Sequence, residues 1–350
     1  MFGFLTDFHI GTKLSKSAYM KSLDFFIDHM KKSDEPCKMI FVCGDFFDHV
    51  LNISDYTFAA AMLLKLCNNG LNHGKNVPVH FIHGTYSHDN DQLMIFLPLL
   101  KKINPGVEYF KQPDFKMTNG IKVLYLPQIY NVEPPMAYFE NVKYDIIVGH
   151  GVISSANNSP CKSKDNDVIY PTELLSSLSN ICVFGHYHDY TEFDGNVFYG
   201  GAPLRWMYGE NVQKGFLYCN DKFEPEFVPN PYAKDFTVVK INSTDELRKY
   251  LSSNIENPHR FVISINSEKE LAEYKSIIDI NKNNTNISFK ISLNMKQDKQ
   301  EENRDIVMTT HNANPILELK DFIKSRFNKD TSELIDKYVN IINKDSKEEK

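Results

Sequence analysis

The chain has 350 residues, 42% of them hydrophobic and 24% charged, with a net charge of −6. That length suits two or three domains with a large core, and the composition is ordinary for a soluble globular protein. No apolar run approaches the roughly 18 to 20 residues of a membrane span, so no membrane segment is expected. The acidic balance neither supports nor excludes a nucleic-acid substrate, because cations and a local basic surface can supply the attraction.

The chain opens Met1-Phe2-Gly3-Phe4-Leu5-Thr6-Asp7, which meets a carboxylate too soon for a signal peptide. Residues 2–5 are expected to form the first core strand. A second apolar run, 39–43, leads into Gly44-Asp45-Phe46-Phe47-Asp48. Ser54-Asp55 and the run 58–67, stopped at Gly70, predict a helix with an N-cap and a glycine C-cap. Strands are expected over 79–82 and 121–126, and a polar loop over 154–167. The runs 146–148 and 181–184 read as buried strands ending in Gly149-His150 and Gly185-His186-Tyr187-His188. Pro171 opens a helix over 172–178. Strands over 196–199 and 215–219 complete an α/β pattern for residues 1–230.

Pro229-Asn230-Pro231 marks a domain boundary. Residues 231–295 predict a small α+β module: strand 236–241, helix 243–251, strand 261–265, helix 268–277 and strand 287–293. Residues 296–314 are polar and charge-mixed, as a linker is. Residues 315–343 predict two amphipathic helices, with Ile316, Leu319, Ile323 and Phe327 on one stripe and Leu334, Ile335 and Tyr338 on the other. This pair either packs on its own domain or docks on a partner helix. The cysteines, at 37, 43, 67, 161, 182 and 219, form no C-x-x-C pair. A thiolate zinc site is therefore not expected, and a reducing, cytoplasmic compartment is.

The chemistry lies in five short segments: Asp7-Phe8-His9, Gly44-Asp45-Phe46-Phe47-Asp48, His88-Asp89, Gly149-His150 and Gly185-His186-Tyr187-His188. Oxygen and nitrogen ligands without thiolate suit manganese, magnesium, iron or zinc. Asp7 and His9 are two apart, so both face one side of a strand end; His186 and His188 repeat that spacing. Asp45, exposed by the glycine before it, can give one oxygen to each of two ions. Asp48 is expected to orient a ligand by hydrogen bonding, and Asp89 can do the same. Each segment alone is a weak signal, and together, in this order at strand ends, they are a strong one. Arg205-Trp206 is either a DNA-facing pair or a packed Trp beside a surface Arg. The remaining histidines read as structural.

D-x-H, G-D-x-x-D, H-D, G-H and G-H-x-H in that order resemble the signature of the calcineurin-like metallophosphoesterases. Within them the chain looks most like the Mre11/SbcD nuclease subunits, including those of bacteriophage recombination complexes. Gly200-Gly201-Ala202-Pro203 resembles their G-S-P or G-T-P segment, residues 231–295 their capping domain, and the terminal helices the segment that binds the Rad50/SbcC ATPase. The resemblance implies a four-layer αββα sandwich with a small α+β cap. It implies one ion held by Asp7, His9, Asp45 and His188, and a second held by Asp45, His150, His186 and a ligand from the fourth motif. It further implies manganese (magnesium being possible), a DNA substrate hydrolysed during double-strand break repair or recombination, and a homodimer working with two ATPase subunits.

The fourth motif departs from the family's Gly-Asn-His-Asp: here the run is His83-Gly84-Thr85-Tyr86-Ser87-His88-Asp89, and Ser87 stands in the Asn place. Two roles for His88 stay open. It fills the second ion's vacant position, which the ligand strength of imidazole favours, or it keeps the family's catalytic-acid role beside a weaker second ion. A phosphatase or cyclic-nucleotide phosphodiesterase on a small phosphoester is the alternative activity, and a non-enzymatic subunit a further one.

Overall fold

The computed structural model describes residues 1–293 except 13, 131–134, 140–141, 155–166, 206, 209, 211, 235, 254, 256–258, 282–283 and 285–286. The expected linker (296–314) and terminal helices (315–343) lie outside the described residues, as do Trp206, Cys161 and most of the 154–167 loop. The chain divides into two compact units, the first Met1–Thr237 and the second beginning at Val238.

The first unit begins β1 (Phe2–Leu5), α1 (Lys16–Lys32), β2 (Met39–Cys43), α2 (Ile53–Cys67), β3 (Val79–Ile82), α3 (Tyr86–Asp89), α4 (Leu93–Ile103) and β4 (Val107–Phe110). It continues β5 (Asp114–Thr118), β6 (Ile121–Leu126), β7 (Tyr144–His150), β8 (Val152–Ile153), β9 (Ile169–Tyr170), α5 (Thr172–Leu178) and β10 (Ser179–Gly185). It closes with β11 (Thr191–Phe193), β12 (Val197–Tyr199), β13 (Gly215–Cys219) and β14 (Pro225–Pro229). Two six-stranded sheets result, ordered β14-β13-β1-β2-β3-β4 and β11-β12-β10-β7-β6-β5. β1 to β4 are mutually parallel, as are β6, β7, β10 and β12. Antiparallel strands β13, β5 and β11 flank those parallel cores.

The central strands are apolar along their whole length because both faces are covered. In β2, Met39, Phe41 and Cys43 join one apolar cluster while Ile40 and Val42 join another with residues of α1, α2 and α4. In β10, Ile181 and Val183 enter the same cluster as Phe41, whereas Cys182 and Phe184 pack with Leu175 of α5. One cluster therefore draws alternate residues from both sheets. α1 presents Tyr19, Leu23, Phe26, Ile27 and Met30 at helical spacing and is capped by Ser15, whose Oγ accepts from the Ala18 N–H. α2 starts earlier than expected, since Asn52 rather than Ser54 is the cap and accepts from Asp55 N at 3.0 Å.

The unit boundary falls beyond the Pro229-Asn230-Pro231 segment that the sequence pointed to. Asn230 is buried; its Nδ2 donates to Ser22 Oγ (2.9 Å) and to the Pro203 carbonyl (2.7 Å), and its N–H donates to the Lys214 carbonyl (2.9 Å). Arg205 Nη1 donates to the Ala233 carbonyl at 2.9 Å. These bonds tie the punctuated segment into the first unit. Cys37, Cys43, Cys67, Cys182 and Cys219 are free thiols and buried.

The second unit runs β15 (Thr237–Ile241), α6 (Thr244–Leu251), β16 (His259–Ile265), α7 (Glu268–Asn281) and β17 (Ile287–Leu293). Its sheet order is β15-β16-β17, with β16 and β17 parallel and joined through α7. Ser243 caps α6, accepting from Glu246 N at 3.1 Å. Phe261, Ile263 and Ile265 pack with Leu247, Tyr274 and Ile277 in its own core.

His80, on β3, is buried between the sheets and hydrogen-bonds the Tyr125 hydroxyl at 2.6 Å. Burial lowers its pKa from 6.5 to about 4. The unfolded chain therefore takes up a proton below pH 6.5 that the folded chain refuses, and stability falls as pH drops from 6.5 toward about 4. This group accounts for about 3 kcal/mol over that window, at ~1.4 kcal/mol per pKa unit. Urea unfolding of His80→Gln is expected to show a shallower loss between pH 6.5 and 4.5 than the parent; equal slopes would remove His80 from the account.

Candidate metal centre

The ligand-bearing segments follow the carboxyl ends of parallel strands, where open α/β sheets leave room for a ligand. Asp7 and His9 follow β1, Asp45 and Asp48 follow β2, and His88 lies in α3 after β3. His150 ends β7, and His186 and His188 follow β10. The turns after β1 and β2 are bonded together: His9 N donates to the Asp45 carbonyl (3.0 Å), Ile10 N to Phe46 (2.9 Å) and Asp48 N to Ile10 (3.0 Å).

Four of these residues have backbone in the left-handed region: Asp7 (φ 47°), His9 (49°), Asp45 (45°) and His186 (104°). Each such non-glycine residue costs roughly 1–2 kcal/mol, and strain of this kind concentrates at functional sites. Gly44 supplies the close approach beneath them. A Cβ there would lie 2.2 Å from His150 Nδ1 and 2.7 Å from Gly84 Cα.

The side chains converge. Nitrogen and oxygen atoms of Asp7, His9 and His188 lie within 4.8 Å of one another, as do those of His9, Asp45 and His88, and of Asp45, His150 and His186. All seven expected metal ligands are thus brought into three overlapping groups, with Asp45 common to two. Outer oxygens fix the imidazole tautomers. His150 Nδ1–H donates to the Cys43 carbonyl at 2.9 Å, leaving Nε2 at 3.2 Å from Asp45 Oδ2. His88 Nδ1–H donates to the Asp48 carbonyl. His188 turns Nδ1 to Glu210 Oε1 (3.4 Å) and Nε2 to His9 Nε2 (3.1 Å). His9 Nδ1 lies 3.4 Å from Asp48 Oδ1, an ion-pair contact with the carboxylate expected to orient a ligand. Outer-oxygen contacts of this sort point a ligand nitrogen inward.

Among the protein's own groups, buried carboxylates and imidazoles shift one another. Burial raises the pKa of Asp45, but the His150 charge and hydrogen bond outweigh it and hold the carboxyl far below its ordinary range. Burial lowers His150, yet Asp45 beside it pushes the imidazole up to about 9. His9 is also raised, since Asp48 and Asp45 overcome burial. His186, buried and near His150, falls to about 3. Asp89 is raised to about 7 by burial and by Asp45; it accepts from Gly84 N (2.8 Å) and Phe47 N (3.2 Å), orienting backbone rather than an imidazole. Asp7 Oδ1 accepts from His186 N at 2.8 Å, while its Oδ2 is buried with no hydrogen-bond partner. A buried carboxylate oxygen without a donor is costly, and a divalent ion is the partner this donor set fits.

His88 does not join His150 and His186. It groups with His9 and Asp45, while Asp45, His150 and His186 close a group of their own. Ser87 is exposed, so it does not take the place expected for it. The residue facing Asp45 and His150 is Thr85, which the sequence reading passed over. Its N–H donates to Asp45 Oδ1 at 2.6 Å, and its hydroxyl lies 3.1 Å from Asp45 Oδ2 and 3.5 Å from His150 Nε2. Glu210 was missed too; no motif carries it. The Arg205 guanidinium donates to the carbonyls of Glu210 (3.0 Å), Ala233 (2.9 Å) and Val212 (3.2 Å), clasping the loop that holds Glu210; its expected pairing with Trp206 lies outside the described residues. His83 pairs with the Tyr109 hydroxyl, a structural contact.

No protein-family model matches the chain, and no curated protein sequence matches it. Among the solved structures that match, a protein of unknown function from Aquifex aeolicus aligns over 54% of this chain and 79% of its own, at 11% identity and a TM-score of 0.25. So slight a likeness carries no argument about fold or function. No helix among the described residues is long and apolar enough to cross a membrane.

Proposed function

We propose that the chain is a two-ion phosphodiesterase acting on DNA, a nuclease subunit of the Mre11/SbcD kind. One observation carries this reading. Asp7, His9, Asp45, His88, His150, His186 and His188, from five separate segments, meet in overlapping groups at the strand ends of two sheets. The αββα order is part of the proposal, supported by the apolar cluster to which both sheets contribute. The DNA substrate, the preference for manganese, the homodimer and the coiled-coil ATPase partner rest on the order of the motifs and on the small unit after residue 238.

Asp7, His9, Asp45 and His188 would hold one ion, and Asp45, His150 and His186 the other. Ions so held stabilise charge on phosphoryl oxygens and lower the pKa of water to near neutrality. The protein's own groups do the rest. Asp48 fixes the His9 ring, Glu210 fixes His188, and the Cys43 carbonyl fixes His150. His88 lies at the half-buried rim, locked by the Asp48 carbonyl. His88 belongs to neither proposed ligand set, so we assign it proton donation to the leaving sugar oxygen.

The test is degradation of linear duplex DNA by the purified chain, with manganese and with a chelator, beside hydrolysis of p-nitrophenyl phosphate. Manganese-dependent shortening of DNA, abolished by chelation, is the expected result. Turnover of the small ester with DNA untouched would replace the nuclease by a phosphatase. Tight manganese binding with neither substrate hydrolysed would leave a non-catalytic metal-binding subunit.

A further inference from the structure

Gln128 and Thr85 form a two-residue support for one of the ion sites. Gln128 follows β6, is buried, and does not belong to any of the sequence motifs. Its Oε1 lies 3.0 Å from Thr85 Oγ1, and its Nε2 donates to Asp167 Oδ1 at 3.2 Å. The bond to Asp167 fixes which end of the carboxamide faces Thr85, because a carboxylate oxygen only accepts. Gln128 therefore presents an acceptor to the threonine hydroxyl.

A hydroxyl has one proton and two lone pairs. The proton of Thr85 has two acceptors within reach, Asp45 Oδ2 at 3.1 Å and Gln128 Oε1 at 3.0 Å. When it goes to Gln128, the lone pairs of Oγ1 turn toward the space shared by Asp45 Oδ2 and His150 Nε2, the latter at 3.5 Å. Those atoms belong to the group of Asp45, His150 and His186, which offers three ligand atoms. A fourth oxygen beside them completes a site for a hard or borderline divalent ion.

We infer that Thr85 Oγ1 is a neutral oxygen ligand of the site formed by Asp45, His150 and His186, and that Gln128 is the positioning residue that takes the hydroxyl proton and aims the lone pairs inward. The inference rests on the metal-centre reading above. A neutral hydroxyl is a weak donor, so this site binds its ion less tightly than the site of Asp7, His9, Asp45 and His188. The two ions load in order, and Gln128 tunes only the second.

Calorimetric titration of the metal-free full chain with manganese alone tests this without reference to activity. The parent is expected to show two sites of unequal affinity. Gln128→Leu is expected to weaken the second by about tenfold, the usual scale for a group that orients a metal ligand, and leave the first unchanged. Gln128→Glu combined with Asp167→Asn, which keeps the acceptor toward Thr85 and gives the other oxygen an amide donor, is expected to restore it. Thr85→Val is expected to weaken the same site, with Gln128→Leu adding nothing in that background, as coupled residues do. Thermal unfolding of each metal-free variant confirms that it is folded. Two sites in every variant with unchanged affinities would overturn the inference and leave the metal centre standing. Equal loss at both sites in Gln128→Leu would also overturn it, as a general structural effect. A folded parent that binds no manganese would bring down the metal-centre reading itself.

Discussion

Asp45→Asn is expected to abolish high-affinity manganese binding and to lower DNA hydrolysis by at least about a thousandfold. Asp45 groups with His150 and His186 and also with His9, and in the proposed arrangement both ions share it, so neutralising it is expected to weaken both at once. An ion's stabilisation of developing phosphoryl charge is worth several kcal/mol; losing about 4 kcal/mol is a factor of about a thousand. Asparagine keeps the shape, and its Oδ1 can still accept from Thr85 N, a 2.6 Å bond in the parent. The fold is therefore expected to survive. The check combines titration calorimetry, turnover and the thermal midpoint of the metal-free protein. Two ions still bound at parental affinity, or activity within tenfold, would show that Asp45 is not the shared ligand.

Gly44→Ala is expected to destabilise the fold by about 2 to 5 kcal/mol. Two costs combine. The residue sits at φ +76°, where a side chain costs roughly 1–2 kcal/mol. Its Cβ would also lie 2.2 Å from His150 Nδ1, and His150 is wholly buried and held by the Cys43 carbonyl. Overpacking of this kind adds typically 1–3 kcal/mol. Gly74→Ala separates the two terms, because Gly74 has φ +80° but nothing within 4 Å of an added Cβ. Urea unfolding is expected to show a loss of only about 1–2 kcal/mol there. Equal losses at the two positions would mean that the His150 ring moves aside at no cost.

The candidate ligand residues were legible in the sequence because each is tied to a local pattern: an apolar run, a tight turn, then a carboxylate or imidazole. Their order along the chain added what no single segment had. Thr85, Gln128 and Glu210 carry no such mark. Their roles depend on which loops meet in space, and a lone Thr, Gln or Glu looks the same whether it faces an imidazole or water. His88 was legible as a site residue but not as to which group it joins, since that depends on where α3 sits after β3.

Most strands match the expectation to within a residue or two, because they are short, apolar and bounded. The sequence expectations omit α1 and α4. α4 contains Pro98, which ordinarily argues against a helix interior. Burial of Leu93, Phe96 and Leu100 outweighs that cost. The first compact unit extends past the proline punctuation, which reports a local break, because Asn230 is anchored by bonds to Ser22 and Pro203.

The groups Asp7-His9-His188 and Asp45-His150-His186 each combine residues that follow strands of different sheets. Neither exists on one sheet alone. Translation therefore cannot deliver either constellation piecemeal: a nascent chain halted before His186 has only two of the three residues of each. In the proposed reading, the same geometry makes metal content a gauge of how well the two sheets are seated. A cavity in the cluster they share, far from any ligand, would be read out first as an ion lost and only later as a chain unfolded.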